Sequence, residues 1–205
     1  MHLVIALLLC SLGASAQAKN PGPIVFSELM WMGSNASSSD EWIELYNRSD
    51  TEIDLKDWCI VRLTKDGEEV MLHIPQGKIA PRATFLIANF ASDDSRSRLA
   101  TEPHLVNTAI ALSNTKLQLR LYDGDPEEGG AVVDVADDGS GSPLAGDNEL
   151  KQAMVRIVFD QDGTQSTSWA TAQEASGWDA EATERGTPDT IPGYLLSTPS
   201  PGHST

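Results

Sequence analysis

The chain has 205 residues, with 14 Lys plus Arg against 30 Asp plus Glu and a formal net charge of −16. That length suits one ordinary domain burying about two-thirds of the surface its unfolded chain exposes, and 40% hydrophobic with 21% charged residues excludes a disordered polyelectrolyte. A negative field of this size repels phosphate backbones and anionic lipid surfaces, which argues against nucleic acid and charged membranes as partners.

The first 18 residues, MHLVIALLLCSLGASAQA, carry an apolar run from Leu3 to Leu12 and then small residues at Ala14, Ala16 and Ala18. This is the pattern of a secretory signal peptide cleaved after Ala16 or Ala18, and its apolar run is too short for a membrane span. The expected location is secreted, or periplasmic within the cell envelope. With the leader removed, Cys59 is the sole cysteine and no intramolecular disulfide can form. Set in Trp58-Cys59-Ile60-Val61, it reads as a small buried hydrophobe with no base beside it in the sequence.

Residues 19–23 are a short linker with two prolines. A strand is predicted over 24–31, where Ile24, Phe26 and Met30 alternate with Val25, Ser27 and Trp31; the loop MGSNASSSD then leads to a second strand over 41–46. RSDTEIDLKD is a polar crossing with Ile53 and Leu55 as inward plugs, followed by a third strand over 58–64. Asp66-Gly67 suits a primed hairpin turn, the return strand runs over 70–74, and Pro75 ends it. Further strands are predicted over 83–88, 116–122, 131–136, 153–159 and 167–172, with a long irregular connection between Asn89 and Ala109. No helical period is sustained. About eight strands in two antiparallel sheets make an all-β sandwich. The last stretch, 189–205, is rich in Pro, Ser and Thr and reads as a disordered tail with no membrane span.

A family resemblance rests on the order of these segments. A first strand, a Gly/Ser/Asp loop, DEWIELYN, IDLKDW, PQGKIAPRATFLIAN, ALSNTKLQLRLYDGD, VVDVADD, AMVRIVFDQDG, SWATA and RGTPD follow one another across residues 24–188. The chain resembles the lamin-tail domain, known at the ends of nuclear lamins and in many secreted bacterial proteins. The resemblance implies an immunoglobulin-like antiparallel β-sandwich serving chiefly as an adaptor.

Four acidic turns present themselves as calcium ligands: Ser92-Asp93-Asp94, Asp123-Gly124-Asp125, Asp137-Asp138 with Asp147, and Asp160-Gln161-Asp162-Gly163. Hard cations take about six to eight oxygens, and alternate acids in a turn bring several to one point. Asp123, Asp125, Asp160 and Asp162 are the best candidates, against the plainer reading that Asp and Gly are what solvated turns need. Glu28, Glu41 and Glu44 offer paired carboxylates for acid-base chemistry, or charges at sheet edges that discourage association. Scattered histidines make no zinc signature, and neither a nucleophile elbow nor a phosphate loop occurs. Trp42 and Trp58 read as core; Trp31 and Trp178 read as partly exposed. Asn35-Ala36-Ser37 and Asn47-Arg48-Ser49 match the glycosylation sequon.

The reading favoured is an exported, non-catalytic, monomeric module that needs no cofactor and binds a protein or an envelope polymer. The alternatives are a calcium-stabilised matrix or carbohydrate-binding module, and a hydrolase using the strand carboxylates.

Overall fold

The computed structural model describes residues 20–196, the side chain of Leu196 excepted. The leader expected over 1–18 lies outside the described residues. The first predicted alternation forms β1 (Ile24–Met30), which returns antiparallel as β2 (Trp42–Asn47), with Phe26 facing Leu45 and Glu28 facing Glu44 across a bulge. Ile53 and Leu55 act as the plugs their spacing implied: β3 (Ile53–Asp54) pairs with β6 (Lys78–Ile79), and Leu55 is fully buried. β4 (Cys59–Thr64) and β5 (Gly67–His73) form a tight hairpin in which Thr64 faces Gly67. The turn residues are therefore Lys65 and Asp66, one position earlier than expected, with Gly67 at φ 120° opening the return strand.

The remaining strands are β7 (Thr84–Ala88), β8 (Leu105–Val106), β9 (Leu119–Tyr122), β10 (Val132–Ala136), β11 (Met154–Arg156) and β12 (Trp169–Thr171). Among the described residues they assemble as a six-stranded sheet, β12-β11-β1-β2-β7-β8, and a four-stranded sheet, β10-β9-β4-β5. All pairings are antiparallel except β7 with β8, which lies within the connection predicted to be irregular. The two sheets enclose one core in which Phe26, Leu29, Ile43 and Leu45 meet Ile60, Leu72, Leu119 and Leu121. Each such side chain contributes about 1.5–3 kcal/mol on burial, so a core of this size holds the fold without a disulfide. The result is the all-β sandwich that the alternation predicts, of the immunoglobulin-like kind that the resemblance implies.

β1 and β2 are buried at every residue, although a strand in a half-solvated sheet shows water every second side chain. The cause is a strap formed by residues 172–196, which crosses the outer face of the six-stranded sheet. Trp178 packs on Trp42, with ring centroids 6.0 Å apart, and Thr187 reaches Glu28. Asp189 accepts from the Thr84 hydroxyl at 2.9 Å, and the strap ends in α1 (Gly193–Leu196). The disordered tail expected from residue 189 is thus packed on the sheet through Leu195, with Pro192 buried; residues 197–205 lie outside the description.

Candidate functional site

The three glutamates singled out in the sequence lie in the middle of the six-stranded sheet or at its end. The edge-charge reading is corrected by strand order: β1 and β2 are central, flanked by β11 and β7. Glu28 and Glu44 are register partners, 1% and 0% exposed. Glu28 accepts from the Thr187 backbone N–H at 3.0 Å and from the Thr187 hydroxyl at 2.9 Å. Glu44 Oε1 accepts from the Ser27 hydroxyl at 2.6 Å, while its Oε2 has no partner. Gly186 makes the close approach feasible: at φ 153°, a Cβ there would stand 2.5 Å from Glu28 Oε1.

Burial pushes the Glu28 carboxyl up to about 8 despite the two Thr187 donors, which pull it back, and Glu174 adds a smaller push. Burial and then the charge of Glu28 hold Glu44 well above the carboxylate range. Glu41 is separate from this pair. Its Oε2 accepts from the Leu112 N–H at 3.1 Å, and burial lifts it to about 7 against the opposing Leu112 bond and Arg62. All three shifts are upward, so the native state binds protons that the unfolded chain has released. Their contribution is fully present below the unfolded value near 4.5 and is lost as pH rises through about 7 and 8. Thermal unfolding of the protein is therefore expected at a higher temperature at pH 5 than at pH 8; equal melting temperatures would contradict this protonation of the buried row.

A second buried charge set joins the two sheets. Arg156 on β11 sends Nη1 to Asp134 Oδ2 on β10 at 3.1 Å, with both side chains almost wholly buried. The same Oδ2 accepts from the Phe26 N–H at 2.9 Å. Burial pushes the Asp134 carboxyl up to about 6, and the guanidinium keeps it from rising further. The Asp160–Gly163 turn wraps this guanidinium: Arg156 donates to the Gln161 carbonyl, and Trp169 donates to the Gly163 carbonyl at 2.7 Å. Gly163 is demanded by space, since a Cβ would lie 1.9 Å from the Val135 carbonyl oxygen.

The calcium candidates fall in two separate turns. Asp123 accepts from the Ala131 N–H and Asp125 from the Glu127 N–H, closing the β9–β10 connection. Asp162 accepts from the Thr164 N–H, and Asp160 is exposed. Asp137 accepts from three backbone N–H groups, those of Asp138, Gly139 and Leu144. Among the described residues, no group of three or more His, Cys, Asp or Glu side chains is gathered as a metal cluster.

Other expectations change in the fold. Trp31 is 5% exposed and donates to the Ala145 carbonyl, so it is core; Trp58 is half-buried, as is Trp178, whose Nε1 donates to Gly186. No tryptophan among the five is exposed, and they pave no platform. Asn47 is fully buried, donating to the Thr51 and Ile79 carbonyls, so its sequon is inaccessible in the folded chain; Asn35 is exposed. Cys59 does have a base beside it, which separation in sequence concealed: His73 is its register partner, with Sγ and Nδ1 3.1 Å apart. The thiol is wholly buried, and burial, then Asp125 and Asp57, push its pKa up, which favours the unreactive thiol. A cleft of about 280 Å³ opens between Arg62, Leu63, Leu112, Leu117 and Leu119, away from the Glu28–Glu44 pair.

The edges of the sheets differ in how they are closed. Along β10, Gly22 donates to the Val133 carbonyl and Asp137 to the Gly163 carbonyl. β8 has two residues. β5 has seven and, among the described residues, pairs only with β4. Leu63 donates its N–H to Gln118, away from β5, and so the N–H and C=O of its register partner Glu68 point to the open side, as do those of Val70 two residues on.

A family model described as Lamin Tail Domain matches residues 17–140, more than half of the chain. The chain belongs to the lamin tail domain family. Comparison with curated proteins gives no match. The matched segment holds β1 to β10, and the lamin tail domain fold of this chain is completed from beyond it: β11 pairs with β1, Arg156 meets Asp134, and Thr187 covers Glu28. No helix among the described residues is long and apolar enough to cross a membrane.

Proposed function

We propose that this lamin tail domain protein is an exported, non-catalytic adaptor that binds an extended segment of a partner protein along β5. The observation carrying the reading is the open seven-residue edge, whose unpaired backbone groups are those that strand addition uses. Side chains along it support pairing with a non-acidic segment. Glu69 is already engaged by Arg62 at 3.2 Å and Glu68 by Arg120, and the whole chain carries −16. Export rests on the leader sequence, and a non-catalytic role is in keeping with a structural immunoglobulin-like family. The fully covered Glu28–Glu44 pair is closed to substrate in this conformation, which leaves the hydrolase reading without an accessible acid-base pair.

The test uses Val70→Pro, which removes an outward N–H without touching the β4 ladder. Immobilised wild-type protein is challenged with envelope and secreted fractions of its source, and the retained protein is measured against the variant. Retention lost in the variant, with an unchanged melting temperature, supports strand addition. Equal retention by both proteins overturns the edge assignment, and no retention by either overturns the adaptor role.

A further inference from the structure

We propose that the Glu28–Glu44 pair is a proton-dependent clasp that holds the strap from Thr183 to Leu195 against the six-stranded sheet and releases it when the pair loses its last proton. Three features of the geometry carry this. The two carboxyls are fixed side by side, because Glu28 and Glu44 are register partners in the antiparallel pairing of β1 with β2, just past the bulge between Phe26 and Glu28. Among the described residues the strap is the element that covers them: Thr187 donates its N–H and hydroxyl to Glu28, Gly186 lies close against Glu28, and the Asp189 backbone faces Glu44. Glu44 Oε2 is buried with no partner at hydrogen-bond geometry, so the solvation an ionised Glu44 needs beyond the Ser27 hydroxyl and the nearby Asp189 backbone would come from water admitted by movement of the strap.

Among the described residues, no positive charge around the pair replaces the proton. Glu174 faces Glu28 from the strap, and Asp189 faces Glu44. The Tyr194 phenol on α1 is pushed up by burial and by Glu174 and Glu28. His104 Nδ1 stands 3.6 Å from Asp189 and accepts from the Leu86 N–H. With one proton shared, the pair is a single buried anion held by Thr187 and Ser27. With none, two like charges sit on neighbouring positions in an environment that excludes water; burial has raised Glu28 to about 8 and holds Glu44 well above the carboxylate range. The strap is tied down at separate points, by Arg185 to Lys151 and Ala153, by the Asn35 N–H to Glu184 and by the Thr84 hydroxyl to Asp189, and belongs to neither sheet's ladder, so it can open as a unit of its own. Its release uncovers the outer face of the sheet around Glu28 and Glu44.

Hydrogen–deuterium exchange of the full chain between pH 5 and pH 9, corrected for intrinsic rates, reads the amides of residues 184–195 against those of β2. The expected result is strap protection that falls by about tenfold per pH unit once the last proton leaves, with β2 unchanged. Glu28→Gln and Glu44→Gln, which mimic the protonated state, flatten that dependence and keep the strap protected at pH 9. Should either variant fold poorly, Thr187→Val supplies the check: it removes the hydroxyl donor and lowers strap protection already at pH 5 while β2 stays protected. The proposal is overturned by strap protection that does not change with pH, by strap and β2 losing protection together, or by pH dependence that survives in both Gln variants.

Discussion

Arg156→Met lowers the unfolding free energy by about 3–5 kcal/mol, a large share of the roughly 5–15 kcal/mol typical of a domain. The loss comes less from the attraction removed than from what stays behind, an Asp134 carboxylate enclosed between two sheets with its cation gone. The guanidinium also closes a loop, since it donates to the Val158 carbonyl at 3.1 Å and to Gln161, and its Cζ lies 5.1 Å from the centre of the Trp169 ring. Asp134→Asn together with Arg156→Met recovers part of the loss, because the amide oxygen still accepts from the Phe26 N–H and no charge is buried. Proton linkage gives a second readout. Asp134 titrates near 6 in the wild-type protein, where burial raises it against the opposing Arg156; without that guanidinium it rises further. A raised carboxyl contributes stability at low pH that disappears as pH climbs through its folded value, so the deficit of Arg156→Met is smaller at pH 4.5 than at pH 7. Urea unfolding at both values measures this. A single variant within about 1 kcal/mol of wild type at pH 7 would show that the pair is not the joint between the sheets.

Trp42→Ala is the second large effect, about 3–5 kcal/mol as expected for truncating a fully enclosed tryptophan. Trp42 is 0% exposed because Trp178 of the strap closes over it. The substitution opens a void beneath the strap as well as in the sheet. Trp42→Phe is predicted to lose far less than the cavity alone suggests. The indole Nε1 of Trp42 is buried without a partner, and phenylalanine discards that unsatisfied donor together with the ring it sits on. Denaturant midpoints for the two variants decide the point; equal losses would mean that the orphaned N–H has no energetic consequence.

What could be read from the chain follows the distance over which the deciding contact acts. β1, β2, β4 and β7 were legible because alternation is a property of neighbouring residues, and the observed bounds differ from the predicted ones by a few residues at most. Strand order is not local. Glu28 and Glu44 read as edge charges because alternation alone places them on a solvated face, and only the strap, which has no period of its own, covers that face. The Asp160–Gly163 turn is a related case. Asp-Gln-Asp-Gly matches the chemistry of a cation-binding turn, and it does meet a cation, the guanidinium of Arg156, through the Gln161 backbone carbonyl. Nothing in AMVRIVF distinguishes that arginine from a solvent-facing strand residue. The pairing of Cys59 with His73 was hidden in the same way, since register across the β4–β5 hairpin sets it. The open β5 edge was foreseeable in kind, because every open sheet has edges, but its identity depends on which strands the chain caps with Gly22 and Gly163.

The position of β1 determines when the molecule can become whole. Its Phe26 N–H is satisfied by Asp134, 108 residues later, and its Glu28 by Thr187, 159 residues later. β1 therefore waits for segments far along the chain before its buried groups find their partners. Such long closures place folding in the millisecond-to-second regime of non-local β proteins. In that interval the apolar centre of the larger sheet stands unfinished, and the polypeptide exposes apolar surface that a chaperone can hold before the fold locks.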